Sequence, residues 1–230
     1  SYDLNNRVHS FGRDVAWRKA AVRLARVKPA DEILDVACGT GDLTRAFAHA
    51  RPRRVVGLDF TPQMLDIACE KSGVHRGLRS NEAHTRPSAA NAQVVPEYLD
   101  GDAMNLPFAD ASFDIVSIAF GLRNVSEPAR ALAEFRRVLR PGGRVVILEF
   151  ARPRNRLIAW ANDLYTARIM PVTATLISRD TSGAYKYLPK SVETFLTPEQ
   201  MGESLRSAGF TSVSQTPMTF GVCVCTVGQC

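Results

Sequence analysis

Asp35, Gly39, Gly41 and Asp59 stand at spacings that bring them to one edge of a strand-turn-helix-strand unit. Ile33, Leu34, Val36 and Ala37 form a short apolar run closed by Cys38-Gly39-Thr40-Gly41, and a polar-capped helix is expected from Asp42 to about His49. Val55, Val56, Gly57 and Leu58 then give a second buried strand that stops on Asp59. In such a unit the glycines let backbone come close to a ligand, and an acidic residue about 20 positions on accepts hydrogen bonds from ribose hydroxyls. The chemistry is that of a nucleoside site.

Details of the turn select the nucleoside. A dinucleotide fingerprint requires a third glycine, where this chain has Thr44, and a helix N-terminus facing a pyrophosphate, where Asp42 would repel it. Asp35 lies within reach of a cationic group at the turn. A ligand with a ribose, no phosphate, a positive centre and an ammonium group fits these residues: S-adenosylmethionine (SAM). The pattern Asp35-x-Ala37-x-Gly39-x-Gly41 resembles the first motif of class I methyltransferases, with Ala37 in place of that motif's first glycine. A glycine turn between packed elements is the plainer alternative, since a glycine fingerprint alone is weakly specific.

The elements that position these residues follow from periodicity. Asp14 to about Lys28 has its apolar positions mainly on one face and reads as an amphipathic helix stopped by Pro29. Thr61 is placed to cap, and Pro62 to open, a helix running to about Glu70. Met64 lies close behind Asp59, where it either touches an adenine or packs in the core. Residues 72–97 are polar and without period, an insertion. A short third strand at Glu97 to Leu99 ends before Asp102-Ala103, and a fourth, Ser112 to Phe120, leads into Gly121-Leu122-Arg123-Asn124. A helix from Pro128 to Leu139 ends at Arg140-Pro141-Gly142-Gly143, and Arg144 to Phe150 is the fifth strand. Thr197-Pro198-Glu199-Gln200 is a capping box, and Val213 to Val227 gives two final strands. Cys223 and Cys225 share one strand face, which favours packing over a metal site. No metal site is expected.

Alternating strands and helices of these lengths argue for an α/β fold with a doubly wound, mainly parallel sheet. Ligands of such sheets sit at the carboxyl ends of the strands. That rule puts Asp102, Ala103, Ala119, Arg123 and Asn124 on the same rim as Gly39, Thr40 and Asp59. Asp102 is suited either to an adenine amino group or to forming a turn. Residues 151–196 break the rhythm with an apolar, aromatic helical stretch, which forms either a lid over the rim or core helices packed away from it.

At 230 residues, 45% hydrophobic and 23% charged, the chain has the length and composition of one soluble domain with a full core. It contains no run long enough to span a membrane, and its first residues lack a signal-peptide pattern. Five scattered cysteines form neither a disulfide framework nor a paired zinc motif, so a reducing, intracellular setting is expected. The net charge of +6 comes from arginines spread over 51–54, 136–144 and 152–156. Such a surface is either simply solvated or drawn to anionic lipid or nucleic acid. The aromatic residues gather in 151–196, away from the arginines of 51–54 and 136–144, and an RNA-binding surface would interleave the two.

With these pieces placed, the chain resembles the UbiE/MenG-type ubiquinone/menaquinone biosynthesis C-methyltransferases over nearly its whole length. The resemblance is carried by Tyr2-Asp3, Asn6, Ser10-Phe11-Gly12 and Trp17; by Gly39-Thr40-Gly41-Asp42-Leu43-Thr44; by Leu106-Pro107-Phe108; and by Phe120-Gly121-Leu122-Arg123-Asn124-Val125. Arg140-Pro141-Gly142-Gly143, Leu148-Glu149-Phe150, Tyr185-x-Tyr187-Leu188 and Ala208-Gly209-Phe210 complete it. The family's SAM contacts fall on Thr40, Asp59, Asp102 and Ala103. Ala119 stands where the family often has a cofactor-contacting serine, and the 72–97 insertion is longer and more polar than is usual.

The resemblance implies a seven-stranded Rossmann-like methyltransferase domain over 1–230, with an N-terminal helical cap (1–29), the polar insertion (72–97) and a helical lid (151–196). It implies methyl transfer from SAM to a ring carbon of a lipophilic polyprenyl hydroquinone. Arg123 is then expected to stabilise a phenolate, with a salt bridge across the rim as its alternative role, and Asn124 or an ordered water to relay the proton. Tyr2, Tyr165 and Tyr185 are the candidates for contact with the quinol. The expected setting is cytoplasmic, peripheral to the inner face of the membrane, without nucleic acid, and with a homodimer or a biosynthetic complex left open. Another small-molecule or RNA methyltransferase, or a catalytically silent SAM-binding protein, remains the alternative.

Overall fold

A computed structural model describes residues 12–75, 94–165, 191–192 and 194–230. In the central strands of the sheet, neighbouring side chains pass to opposite faces, and most of them are apolar on both. Ile33, Val55, Ile115, Val146 and Leu148 join one core cluster, while Leu34, Val56, Val116, Val145 and Ile147 join another. Strands apolar on both faces need a layer of helices on each side. The first cluster is covered by α1 (Arg13–Ala25), through Trp17, Ala21 and Ala25, and by α2 (Asp42–His49), through Leu43 and Phe47. The second is covered by α4 (Pro128–Val138), through Ala131, Leu132, Phe135 and Val138, and by α6 (Pro198–Ser207), through Met201 and Leu205. Between them in sequence come α3 (Pro62–Ser72) and α5 (Arg156–Leu164).

The strands are β1 (Glu32–Val36), β2 (Arg54–Asp59), β3 (Glu97–Asp100), β4 (Phe113–Ala119), β5 (Leu139–Phe150), β6 (Ser212–Met218) and β7 (Cys223–Gln229). They form one seven-stranded sheet in the order β3-β2-β1-β4-β5-β7-β6. β1 to β5 run parallel, and β7 lies antiparallel between β5 and β6. From β1 the chain winds first one way, to β2 and β3, and then the other, to β4 and β5. The crevice at the carboxyl ends of β1 and β4 is the switch point where such sheets bind ligands.

Three local expectations change. The fifth strand begins at Leu139 rather than Arg144: Leu139 pairs with Phe113, the register slips, and pairing resumes at Ile115 with Arg144. The slip is an irregularity at Gly142, whose φ is 77°, and Gly143, where a Cβ would lie 2.8 Å from the Arg140 carbonyl oxygen. Thr61 occupies the N-cap of α3 without a side-chain cap, and α2 likewise starts from Gly41 without one. The Thr197 capping box forms, with Gln200 N–H donating to Thr197 Oγ1 and Thr197 N–H to Gln200 Oε1. Cys223 and Cys225 are buried in the α1 cluster, as packing requires. Tyr2, Tyr185 and most of the 72–97 and 151–196 segments lie outside the described residues, so α5 alone represents the expected lid.

The far end of the sheet is fastened by a buried charge pair. Arg144 donates to the carbonyl oxygens of Ala25 and Arg26 at the end of α1, and its Nη2 lies 2.7 Å from Asp31 Oδ2. The same Asp31 oxygen accepts the Lys28 N–H at 2.9 Å. One buried ion pair thus holds the last turn of α1 and its connection to β1. Removing one partner leaves a buried charge uncompensated, so Asp31→Ala should lower the unfolding free energy by about 3–5 kcal/mol in a urea titration. Arg53→Ala, which breaks an exposed pair with Glu32, should cost less than about 1 kcal/mol. Equal losses would contradict the burial argument.

Candidate active site

The turn after β1 is built by contacts from three elements. Asp59, at the end of β2, accepts the Gly39 N–H through Oδ2 and the Thr61 N–H through Oδ1, both at 2.8 Å. Its backbone oxygen accepts the Gly101 N–H at 3.1 Å. One residue therefore sets the distance between the glycine turn, the start of α3 and the end of β3. Gly41 has φ 77°, and a Cβ there would lie 2.4 Å from the Tyr98 hydroxyl oxygen. Tyr98 also lies against Gly57, where a Cβ would meet its ring at 2.8 Å. Gly39, by contrast, has no atom of the described residues within 4 Å of a built Cβ, so among those residues its side of the turn is open.

Below the turn, Asp35 is 1% exposed. It accepts hydrogen bonds from Thr44 Oγ1 and Ser117 Oγ, each at 2.7 Å. Burial pushes its carboxyl up to about 6, against the two hydroxyls that lower it. The residue expected to reach a cationic ligand at the turn thus has each of its oxygens bonded to a hydroxyl of the protein. Its two oxygens are turned inward, where they join β1, α2 and β4, and any influence on a ligand passes through that packing.

Asp42 is held by Lys71 and by Arg45, whose Nη2 lies 2.8 Å from Oδ1. Partial burial pushes its carboxyl up, but these hydrogen bonds outweigh it and keep Asp42 below the usual carboxylate range. An ionised carboxylate therefore stands at the start of α2, where a phosphate would need to bind. Lys71 also donates to Thr40 Oγ1 at 3.1 Å, and Thr40 is buried. Burial, reinforced by Asp35 and Asp59, pushes the Cys38 thiol well up.

The remaining rim residues lie where the sheet topology puts them. Asp102 Oδ1 accepts the Met104 N–H at 2.8 Å, which is the turn-forming role. Ala103 is buried, while Met64 and Ala119 are half-buried. Beyond Ala119, Phe120 takes φ 57° and turns its ring onto Phe150, with centroids 4.7 Å apart, and onto Trp17 at 6.1 Å. Arg18 lies over the Phe120 ring at 5.6 Å and pairs with Asp14. Asn124 is exposed at the end of a 3-10 turn, Leu122–Asn124. Tyr165 is half-buried just beyond α5, and burial raises its hydroxyl.

Arg123 is not an unpaired cation on the rim. Its Nη1 lies 2.7 Å from Glu149 Oε1 and also donates to the Phe120 carbonyl oxygen, while its guanidinium covers the Phe150 ring at 5.4 Å. The salt-bridge alternative is thus the geometry observed, and Glu149 is a member of the site that residue spacing did not single out. Its position in an apolar strand, on the face of Val145 and Ile147, was the available signal. Tyr98, Thr44 and Ser117 carried no signal of their own. Among the described residues no group of three or more His, Cys, Asp or Glu could hold a metal ion.

The model of the ubiE/COQ5 methyltransferase family matches residues 1–229. The chain is 44% identical over 229 residues to the demethylmenaquinone methyltransferase of Thermus thermophilus, covering 99% of this chain and 96% of that protein. It is 38% identical over 230 residues to the ubiquinone/menaquinone biosynthesis C-methyltransferase UbiE of Geotalea daltonii, covering 99% of this chain and 91% of that protein. Among solved structures, the fold is similar to a SAM-dependent methyltransferase from Aquifex aeolicus, with TM-score 0.64, 15% identity and coverage of 100% and 98% of the two chains. A SAM-dependent methyltransferase from Thermotoga maritima, described as a possible histamine N-methyltransferase, gives TM-score 0.62 at 19% identity, covering 99% and 93%. These two likenesses establish the class I methyltransferase fold, with its mostly parallel seven-stranded sheet.

Ala37, the departure from the glycine motif, takes φ 50°. Its Cβ lies 2.7 Å from where Gly121 would carry one, so the glycine after β4 accommodates the alanine after β1. Gly121→Ala should therefore destabilise the fold by about 1–3 kcal/mol. In an Ala37→Gly background the same substitution should cost no more than about half as much. Thermal or urea unfolding of the four proteins measures the coupling, and equal costs in both backgrounds would refute it.

Proposed function

The chain belongs to the ubiE/COQ5 methyltransferase family, and from that premise we propose that it methylates a ring carbon of a polyprenyl hydroquinone with SAM as methyl donor. The observation that carries the reading is similarity over essentially the whole chain to demethylmenaquinone methyltransferases, at 44% identity for the Thermus thermophilus protein. Demethylmenaquinol is accordingly the first acceptor to test, and the benzoquinol of ubiquinone biosynthesis the second.

The residues present fit SAM. The open side of Gly39 gives the ligand access to the turn, and the Asp59 carboxylate beside it keeps lone pairs for ribose hydroxyls after accepting two backbone N–H groups. Asp42 favours a ligand without phosphate. We assign cofactor contacts to Gly39, Thr40, Gly41, Asp59 and Met64 on one side and to Asp102, Ala103 and Ala119 on the other. When bound, the cofactor supplies an electrophilic methyl on a cationic sulfonium.

The chain's own task is to prepare the acceptor. A hydroquinone ring carbon becomes nucleophilic as a neighbouring hydroxyl loses its proton, so the protein must favour phenolate and exclude water. Arg123 is assigned to the growing oxygen charge and Asn124 to the proton path. The Trp17, Phe120 and Phe150 rings form the apolar wall beside them.

No helix among the described residues is long and apolar enough to cross a membrane. The substrate class is nevertheless lipid. α5 exposes Leu157 and Trp160, and Phe220 is exposed at the turn before β7. With the arginines of 152–156, these residues are assigned to contact with an anionic membrane surface.

Incubation with SAM carrying a trideuterated methyl group and with each demethylated quinol should give a labelled product, its label on a ring carbon by fragmentation mass spectrometry. Arg123→Ala should lower turnover by roughly 100-fold while SAM affinity stays within a few-fold, because a donor aimed at growing charge acts on the transition state. Arg123→Lys should recover little, a point charge being no substitute for the planar fork. Labelling of neither quinol would overturn the substrate assignment, and near-normal turnover in Arg123→Ala would overturn the role of that residue.

A further inference from the structure

Glu149 is a carboxylate in an otherwise apolar strand. It follows Val145, Val146, Ile147 and Leu148 in β5, is 6% exposed, and stands on the face that Val145 and Ile147 give to the core. A side chain of this kind is costly to bury unless every lone pair is used. Its Oε1 accepts from Arg123 Nη1 at 2.7 Å and from its neighbour Phe150 N–H at 2.9 Å. Its Oε2 faces the Arg123 N–H at 3.5 Å. The pair is shut away from water, with side-chain exposures of 10% for Arg123 and 7% for Glu149. Arg123 Nε is buried with no hydrogen-bond partner among the described residues. A buried donor left unmade in a site of this polarity points to an acceptor that arrives with a ligand.

A neutral carboxylate-guanidinium pair solves a problem that a lone arginine does not. Deprotonating a hydroquinone in a dry site creates a negative charge, and the proton must end on a group inside the same pocket or be carried out to water. We propose that Glu149 is the proton-holding partner of Arg123: the quinol O–H bond breaks, its proton ends on Glu149, and Arg123 exchanges the carboxylate for the new phenolate. The electron pair of the broken bond stays on the quinol oxygen. Net charge is unchanged, since one anion beside Arg123 replaces another, so no charge is created in a low-dielectric site. After methyl transfer, the ring carbon loses its proton to water along the Asn124 path, the electron pair of that C–H bond restores the aromatic ring, and the phenolate takes the proton back from Glu149, so one proton leaves the site per turnover.

The surroundings suit this exchange. Burial raises the Glu149 carboxyl above the usual range, opposed by Arg123 and by the hydrogen bonds it accepts, so its proton affinity is shifted toward that of a phenol. Among the described residues, the charged or titratable groups that interact with it are Arg123 from the turn after β4 and Cys223 from β7. Cys223 is pushed up by its own burial first and by Glu149 next, so it stays a neutral thiol. Arg18 of α1 acts on Cys223 from the other side. The assignment rests on the quinol reading above.

The test compares wild type, Glu149→Gln and Glu149→Asp. Wild-type turnover should fall on the acid side as Glu149 becomes protonated. Glu149→Gln keeps the size and an acceptor oxygen but holds no proton. It should lower turnover by roughly 100-fold or more and replace that limb with one displaced to higher pH, where the quinol ionises unaided, with SAM affinity within a few-fold. Glu149→Asp should retain the limb with partial turnover. Independently of turnover, infrared difference spectra on adding demethylmenaquinol and the demethylated cofactor product to wild type should show a protonated-carboxyl band that Glu149→Gln lacks. Glu149→Gln within threefold of wild type at every pH, or an unchanged acid limb, would overturn the proposal. So would a parallel loss of turnover and SAM affinity in both variants, which marks a purely structural role. Failure of wild type to methylate either quinol would instead defeat the substrate reading.

Discussion

The carboxylate of Asp59 is the constraint on which the rest of the rim depends. A strand ending in a free carboxylate would place one charge at the edge of the sheet and nothing more. Here the two oxygens accept N–H groups from Gly39 and Thr61, each at 2.8 Å, so β2 dictates where the turn after β1 lies and where α3 begins. Charge-assisted hydrogen bonds of this kind are short and roughly twice as strong as neutral ones. They also occupy only part of the carboxylate's accepting capacity, which is how one side chain can shape a site and still meet a ligand.

Around that clamp the site is nearly all paired charge. Asp42 lies between Lys71 and Arg45, Arg18 is paired with Asp14, and Arg123 with Glu149. Where such pairs are buried, their cost in desolvation is weak ground for stability. Their better explanation is orientation. Each fixes the direction of a polar group at the rim, where the proposed reaction needs a cationic cofactor and an apolar acceptor held without water.

The sheet was legible because its strands are short, apolar and bounded by turn residues. The doubly wound reading follows from their alternation with helices, and the order β3-β2-β1-β4-β5-β7-β6 accords with it. What sequence patterns missed is local. The beginning of β5 at Leu139 depends on a register slip that spacing does not encode, since Pro141, Gly142 and Gly143 look the same in a turn as in a bulged strand. Thr61 has the composition of a cap, yet its N–H is already bound by Asp59, and no side-chain cap forms.

In the site, glycines and terminal carboxylates could be read from type and spacing, whereas partners distant in sequence could not. Asp35 looked like a ligand-facing acid because nothing in the chain announces that Thr44 and Ser117 will close over it. A salt bridge was an open alternative for Arg123, but its partner could not be named because Glu149 is 26 positions away on another strand. Asp59 is the residue whose proposed contact with ribose and observed hold on the turn meet in one carboxylate, and it tests the account most directly. Calorimetric titration of SAM into wild type and Asp59→Ala should show affinity falling by about 2–3 kcal/mol, roughly 30- to 150-fold, from loss of charge-assisted bonds to the ribose and loosening of the turn. Unchanged affinity in a folded Asp59→Ala protein would contradict the claim that this carboxylate organises the cofactor site.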